Sequence, residues 1–208
     1  MSRSTLRRAV SAGALCLTAT TTAATAAAAD AAEVGIGTKR LNIQAGSQVT
    51  VKGRVSEPET RRTAALQIQR RGRWVTIDRD RTNAAGRFVL RDRLRAPLST
   101  RARVRLNTGE RRSLGRMNVY RSALASWYGP GFIGNRTGCG GRLRAGQLGV
   151  ANKTLPCGTK VTFRHRGRVV RVPVIDRGPY AGAREYDLTA ATAQKLRFRG
   201  HGPIQVTR

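Results

Sequence analysis

The chain has 208 residues and carries 40 lysines and arginines against 11 aspartates and glutamates, a formal net charge of +29 at pH 7. A field of that sign attracts polyanions. With only three cysteines and two histidines, it is poorly supplied for a zinc site.

In chain order, Arg3, Arg7 and Arg8 precede a stretch from Ala9 to Ala29 that holds no charge, and Asp30 is the first acidic residue. This is the layout of a secretory leader, with small residues at Ala27 to Ala29 for the peptidase. Residues 1–29 are therefore expected to be removed. No later segment approaches the roughly 20 apolar residues of a membrane span, so no stable span is expected. Cys16 leaves with the leader, and Leu15 before it is not the small residue of a lipoprotein signal. Export delivers the chain to an oxidising compartment, so the remaining pair, Cys139 and Cys157, reads as a disulfide. His165 and His201 stand apart from that pair and from each other, so neither a metal nor a cofactor is expected. Export also makes anionic wall polymers, rather than nucleic acid, the accessible polyanionic partners. A monomer is expected.

Residues 30–46 read as a linker. From 47 to 120 short apolar alternations follow one another: Val49, Val51 and Val55; Leu66 and Ile68; Trp74, Val75 and Ile77; Phe88 and Leu90; Val104 and Leu106. A period of two means strands with one buried face. Turns at Arg71-Gly72, Asn83 to Gly86 and Asn107 to Gly109 separate them, a spacing that predicts an immunoglobulin-like sandwich of two antiparallel sheets. Nothing in this half looks catalytic, and its arginines alternate with the apolar positions, so the solvent face should be strongly basic.

From 121 to 208 the pattern is again β. Val161 and Phe163 lead into a His165-Arg166-Gly167-Arg168 turn, and Val170, Val172 and Val174 lead out of it, which predicts a hairpin. Leu188 to Leu196 has helical spacing with Thr189 placed to cap it, and Ile204 to Thr207 forms a last strand. Only Asp176, Glu185 and Asp187 carry a carboxyl group in this half. Cleaving a glycosidic bond needs a proton donor beside the leaving oxygen and a means of stabilising an oxocarbenium-like transition state, so candidates for such chemistry are few. Arg177 and Arg184, close by in sequence, favour the ionised form of these carboxyl groups.

Five motifs stand in order: Ala125-Ser126-Trp127-Tyr128-Gly129, Thr137-Gly138-Cys139-Gly140, Leu155-Pro156-Cys157-Gly158-Thr159-Lys160-Val161, Asp176-Arg177-Gly178-Pro179-Tyr180 and Tyr186-Asp187-Leu188-Thr189. Together they resemble the rare lipoprotein A (RlpA) family over nearly all of residues 121–208. The resemblance implies an all-β chain ending in a six-stranded double-psi β-barrel with a short helix, a barrel shared with expansins and membrane-bound lytic transglycosylase A. It also implies a secreted protein that binds peptidoglycan glycan strands and cleaves them as a lytic transglycosylase, between N-acetylmuramic acid and N-acetylglucosamine. Asp187 takes the position of the acid and Asp176 that of its partner. Trp127, Tyr128, Thr137, Asn152, Arg177 and Tyr180 become the residues expected to hold substrate, the aromatic rings packing on the C–H faces of sugars. Two positions depart from the family pattern: Gly141 stands where glutamate is usual, and Asn152 where histidine is usual. Neither can transfer a proton, which leaves an expansin-like wall-binding module without turnover as the alternative.

Overall fold

Residues 33–56 and 61–208 are described by a computed structural model. The expected leader over residues 1–29, with Cys16, lies outside the described residues. Alternation of small or polar with β-branched and aromatic residues gives the described residues thirteen strands and one short α-helix.

In the first half, β1 (Val34–Arg40), β3 (Gln48–Val55) and β6 (Arg87–Arg93) form a three-stranded sheet in the order β1-β3-β6. Facing it are β5 (Arg73–Arg81), β4 (Thr63–Arg70), β7 (Leu98–Leu106) and the long β8 (Arg111–Tyr128), paired in that order, with β2 (Asn42–Gln44) added in parallel to β8. The inward positions of both sheets, among them Val51, Val55, Leu66, Ile68, Phe88, Leu90, Val104 and Met117, close on one core. Residues 34–44, expected as linker, are instead β1 and β2. Val34, Leu41 and Ile43 are buried in that same core, an apolar pattern too short and too interrupted to stand out along the sequence.

The second half closes on itself. Strands β8, β13 (Gly202–Val206), β10 (Lys160–His165), β11 (Arg168–Asp176), β9 (Val150–Asn152) and β12 (Tyr186–Thr189) are hydrogen-bonded in that order, and β12 pairs back onto β8. The pairs β9–β11 and β8–β12 are parallel and the other four antiparallel. A ring of six strands leaves no free edge. Its interior is filled by Ala125, Val150, Val161, Phe163, Val172, Val174, Tyr186, Leu188, Ile204 and Val206, with Phe163 and Tyr186 edge to face at 5.2 Å. The helix α1 spans Ala190–Leu196, two residues shorter at its start than the apolar spacing predicts, because Leu188 and Thr189 belong to β12. Thr189 caps it as expected, its side chain accepting from the N–H of Thr192, while Ala193 and Leu196 are buried against the barrel.

The two cores share β8. Its first part pairs with β7 and its last part, from Arg121 to Tyr128, with β13 and β12. The stretch near Tyr120 to Leu124, uncharacteristic in sequence, is thus the middle of one continuous strand.

Candidate active site

Adjacent residues of a strand point to opposite faces, so wherever Ala125, Val150, Tyr186, Leu188 and Val174 fill the barrel, their neighbours face outward. Cross-strand register aligns three of those neighbours with Asp176. Ser126 on β8 pairs with Asp187 on β12, Asp187 with Ala151 on β9, and Ala151 with Asp176 on β11. A shift of register between Val174 and Asp176 brings Asp176 to this level. The two aspartates therefore flank one short strand, their backbones about 10 Å apart, which is two interstrand spacings. The row Ser126-Asp187-Ala151-Asp176 lies on the outer wall of the barrel. A small apolar cluster of Tyr128, Leu143, Ala151 and Ile175 lies beside it.

The loop from Gly129 to Gly149 supplies Leu143 to this cluster and reaches the row. After a 3₁₀ turn at Pro130–Phe132, it folds back through bonds from the N–H of Gly134 to the Leu143 carbonyl (2.8 Å) and from the N–H of Leu143 to the Asn135 carbonyl (2.9 Å). The disulfide between Cys139 and Cys157 ties its tip to the segment before β10. Beside that bridge the N–H of Gly138 donates to Asp176 Oδ1 at 2.6 Å, and the N–H of Arg177 donates to the same oxygen at 2.8 Å. Only glycine fits at 138: a Cβ there would lie 2.7 Å from Cγ of Arg177.

Asp187 sits in a different environment. Burial pushes its carboxyl above the usual aspartate range. The Ser126 hydroxyl, donating to Oδ1 at 2.8 Å, and the Arg184 guanidinium pull it part of the way back, while the charge of Asp176 adds to the rise. Among the described residues no donor reaches the second oxygen of either carboxyl group. Arg184 donates to Ser126 Oγ at 3.0 Å and so completes a short chain ending on Asp187. Glu185, the remaining carboxylate of this half, is taken by Arg121 through bonds of 3.0 and 2.6 Å.

Two residues along β8 from Ser126, Tyr128 shares the outward face. It is 9% exposed, and its hydroxyl is buried without a hydrogen-bond partner among the described residues. Burial raises its pKa, and the charges of Asp176 and Asp187 raise it further, so the phenol stays protonated. A hydroxyl left unpaired in a protein interior costs about 1–3 kcal/mol. Tyr128→Phe is accordingly expected to raise stability by about 1 kcal/mol in a thermal melt. A lower melting temperature would instead show that the hydroxyl finds a partner in the folded protein.

The other residues expected to hold substrate are distributed more widely. Trp127, on the opposite face of β8 from Ser126 and Tyr128, is 39% exposed. It lines an apolar groove of about 350 Å³ with Pro130, Ala190, Ala193 and Phe198 beside α1. Tyr180 is 78% exposed in the loop that follows Asp176. Thr137 turns its hydroxyl onto the Gly140 carbonyl at 2.7 Å. Asn152 faces away from the row: it pairs with the inward-facing Tyr186, donates to the Glu185 carbonyl at 2.9 Å, and accepts from the N–H groups of Thr154 and Leu155. Arg177 sends its guanidinium to the carbonyls of Asn152 and Leu155 and to Sγ of Cys157. Asn152 and Arg177 thus shape the segment between β9 and β10 and are not part of the carboxylate row. Arg177 likewise forms no ion pair with Asp176, contrary to its position in sequence. Sequence reasoning gave no role to Ser126 or to the Gly138 N–H. The motif around Tyr128 contains Ser126, but only strand register reveals what it touches. Among the described residues no cluster of histidine, cysteine, aspartate or glutamate could hold a metal ion, and no helix is long and apolar enough to cross a membrane.

Comparison with known proteins gives the same outline for this half. Residues 121–208 match a double-psi β-barrel family model described as lytic transglycolase. The Campylobacter jejuni endolytic peptidoglycan transglycosylase RlpA is 41% identical over 85 residues, 40% of this chain and 31% of that protein. Its counterpart in Neisseria meningitidis serogroup A is 43% identical over 84 residues, 39% of this chain and 35% of that protein. The chain thus spans about a third of the length of these relatives. Among solved structures, Streptomyces papain inhibitor is 28% identical, with a TM-score of 0.36, over 42% of this chain and 92% of that one.

Proposed function

We propose that this chain is an exported, wall-associated lytic transglycosylase that cleaves peptidoglycan glycan strands between N-acetylmuramic acid and N-acetylglucosamine, with Asp187 as the acid. In this reading residues 1–29 are the leader, residues 47–120 an immunoglobulin-like spacer, and residues 121–208 the catalytic barrel, acting as a monomer. The disulfide suits an oxidising, extracytoplasmic setting, and the positive charge suits a wall that also carries anionic polymers.

One observation carries the proposal: a partly buried carboxyl group, raised in pKa, lies in register with a second carboxyl group on the outer wall of a barrel of the transglycolase type. Protonated Asp187 gives its proton to the glycosidic oxygen as the bond to C1 of the muramic residue breaks. Asp176, across β9, faces the positive charge that develops on that ring. The C6 hydroxyl of the same sugar then attacks C1, and its proton passes to the Asp187 carboxylate. The acid is restored, no water is consumed, and the new end is a 1,6-anhydro sugar. A single carboxyl group performs both proton transfers, which fits a half of the chain holding only three.

Incubation with peptide-free glycan strands, read by mass spectrometry, should yield 1,6-anhydro ends. Reducing ends would mean hydrolysis. The alternative, an expansin-like binder without turnover, draws on Gly141, which offers no side chain, and on Asn152, whose amide is spent on backbone. It predicts salt-sensitive co-sedimentation with walls and no soluble product.

The pH profile separates the roles of the neighbours. Asp187 acts only while protonated, so kcat/KM falls as pH rises through its pKa. Asp176 raises that pKa and Arg184 lowers it. In Asp176→Asn the falling limb should therefore move to lower pH, and in Arg184→Gln to higher pH. Unmoved limbs in both variants would remove Asp187 as the titrating acid.

A further inference from the structure

The outward face of the sheet β5-β4-β7-β8 is an arginine surface. Along β7, Arg101, Arg103 and Arg105 alternate with buried Ala102, Val104 and Leu106, so their side chains emerge on one side about 6.7 Å apart. Across the strands, Arg105 is in register with Arg111 on β8 and, beyond Ala65, with Arg79 on β5, while Arg101 is in register with Arg116. This surface extends onto the barrel. Arg116 donates to Ser99 Oγ at 3.4 Å, Thr162 of β10 donates to the same oxygen at 3.2 Å, and Thr162 is in register with Arg171 of β11.

Among the described residues no carboxylate answers these charges. Asp78 and Asp80 alternate with Arg79 and turn to the neighbouring sheet, accepting from the N–H groups of Arg91 (2.6 Å) and Val89 (2.7 Å). Glu110 is held by Arg62 at 3.1 Å. The repulsion left over is visible in the arginines themselves. The Arg103 guanidinium is held below its ordinary range by burial and then by Arg111 and Arg105, and that of Arg171 by burial and then by Arg116 and Arg208.

We propose that this face docks a linear phosphodiester polymer, of the polyol-phosphate kind that can be attached to a cell wall. The inference rests on the wall-acting reading above and adds to it a second surface, remote from Asp187. Three features select the partner. The face carries only arginine as its cation, and the planar fork of arginine matches phosphate oxygens two at a time. The arginines repeat along and across the strands, as a repeating polyanion requires. Single-stranded nucleic acid needs aromatic platforms for its bases; the ring on this face, Trp74, already carries the Arg103 guanidinium at 4.0 Å from its centroid. The polymer that fits is one without bases.

Binding of the full chain to a fluorescent poly(glycerol phosphate) oligomer, followed over a range of salt, tests this with no glycan present, so its outcome is independent of any cleavage. The triple variant Arg103→Gln, Arg105→Gln, Arg111→Gln should bind at least tenfold more weakly. Its slope of log K against log salt should fall by about 2, from three lost contacts at roughly 0.7 each. A control triple of equal charge on the other sheet, Arg54→Gln, Arg87→Gln, Arg93→Gln, should change affinity less than twofold. The pair Arg171→Gln, Arg208→Gln at the barrel end should weaken binding about threefold, which keeps the test alive should the first triple not fold. Equal losses in the two triples would overturn the proposal, because net charge alone would then explain binding. Tighter binding of single-stranded DNA of the same charge count would also overturn it.

Discussion

Asp187→Asn is expected to lower kcat/KM on peptide-free glycan strands by about 10²- to 10⁴-fold, the usual worth of a positioned general acid. Asparagine keeps the shape and can still accept from Ser126, so the loss measures the proton and not the packing. The same change has an opposite sign on stability. The folded pKa of Asp187 is raised, chiefly by burial, so ionising it costs the native state more than the unfolded one. That penalty is absent below the unfolded value of about 3.9, builds up as pH rises through the folded pKa, and stays constant above it. Asp187→Asn should therefore melt higher than the parent at neutral pH, with the difference vanishing toward pH 3. A variant that loses activity and stability together at neutral pH would place Asp187 in a structural role.

Removing the disulfide by Cys139→Ser with Cys157→Ser is expected to cost about 3 kcal/mol, from an 18-residue separation between its ends. For a chain of this size that is a fall in Tm of roughly 10 °C. The barrel half is small and its ring is closed by a strand of only three residues, β9, so it has little other reserve. The bridge also holds the loop tip whose Gly138 N–H binds Asp176. Activity should therefore drop even at temperatures where the variant remains folded. Calorimetry with and without reductant checks the first effect, and product release at 20 °C checks the second. A shift in Tm below about 2 °C, well under the loop-closure expectation, would show that the loop packs unaided.

Much of the fold was legible because period-two alternation is a local signal. Val49 to Val55, Leu66 with Ile68, and Val161 to Val174 declare their strands without reference to anything distant. β1, β2 and β9 were not legible: β1 has glycines at 35 and 37 in place of an alternating pattern, while β2 and β9 have three residues each and are buried by partners distant in the chain, as with Ile43 against Val119 and Val150 against Val174. The continuity of β8 was hidden for a related reason. One strand serves two cores, so its apolar side has no single period to follow.

At the site, Asp176 and Asp187 could be singled out by scarcity and motif, and the closing of Cys139 onto Cys157 by compartment. Their environment could not be read from neighbours in sequence. Arg177 adjoins Asp176 yet spends its guanidinium on the carbonyls of Asn152 and Leu155. Ser126, 61 positions from Asp187, donates directly to it. The burial that raises Asp187 comes from packing around it, a property of the assembled barrel. Tyr128 was expected as an exposed sugar platform and is instead a buried hydroxyl, because the loop that follows it folds back over its ring through Leu143 and Phe132.

The most direct test is a ¹³C carboxyl NMR titration of Asp187, assigned by comparison with Asp187→Asn, in the parent and in Asp176→Asn. The parent should titrate clearly above the 3.9 or so of a free aspartate, and the Asp176→Asn protein at a lower pH than the parent. A parent value at or below that of free aspartate, unmoved when Asp176 loses its charge, would contradict a barrel wall that keeps one of its two aligned carboxyl groups ready to donate a proton.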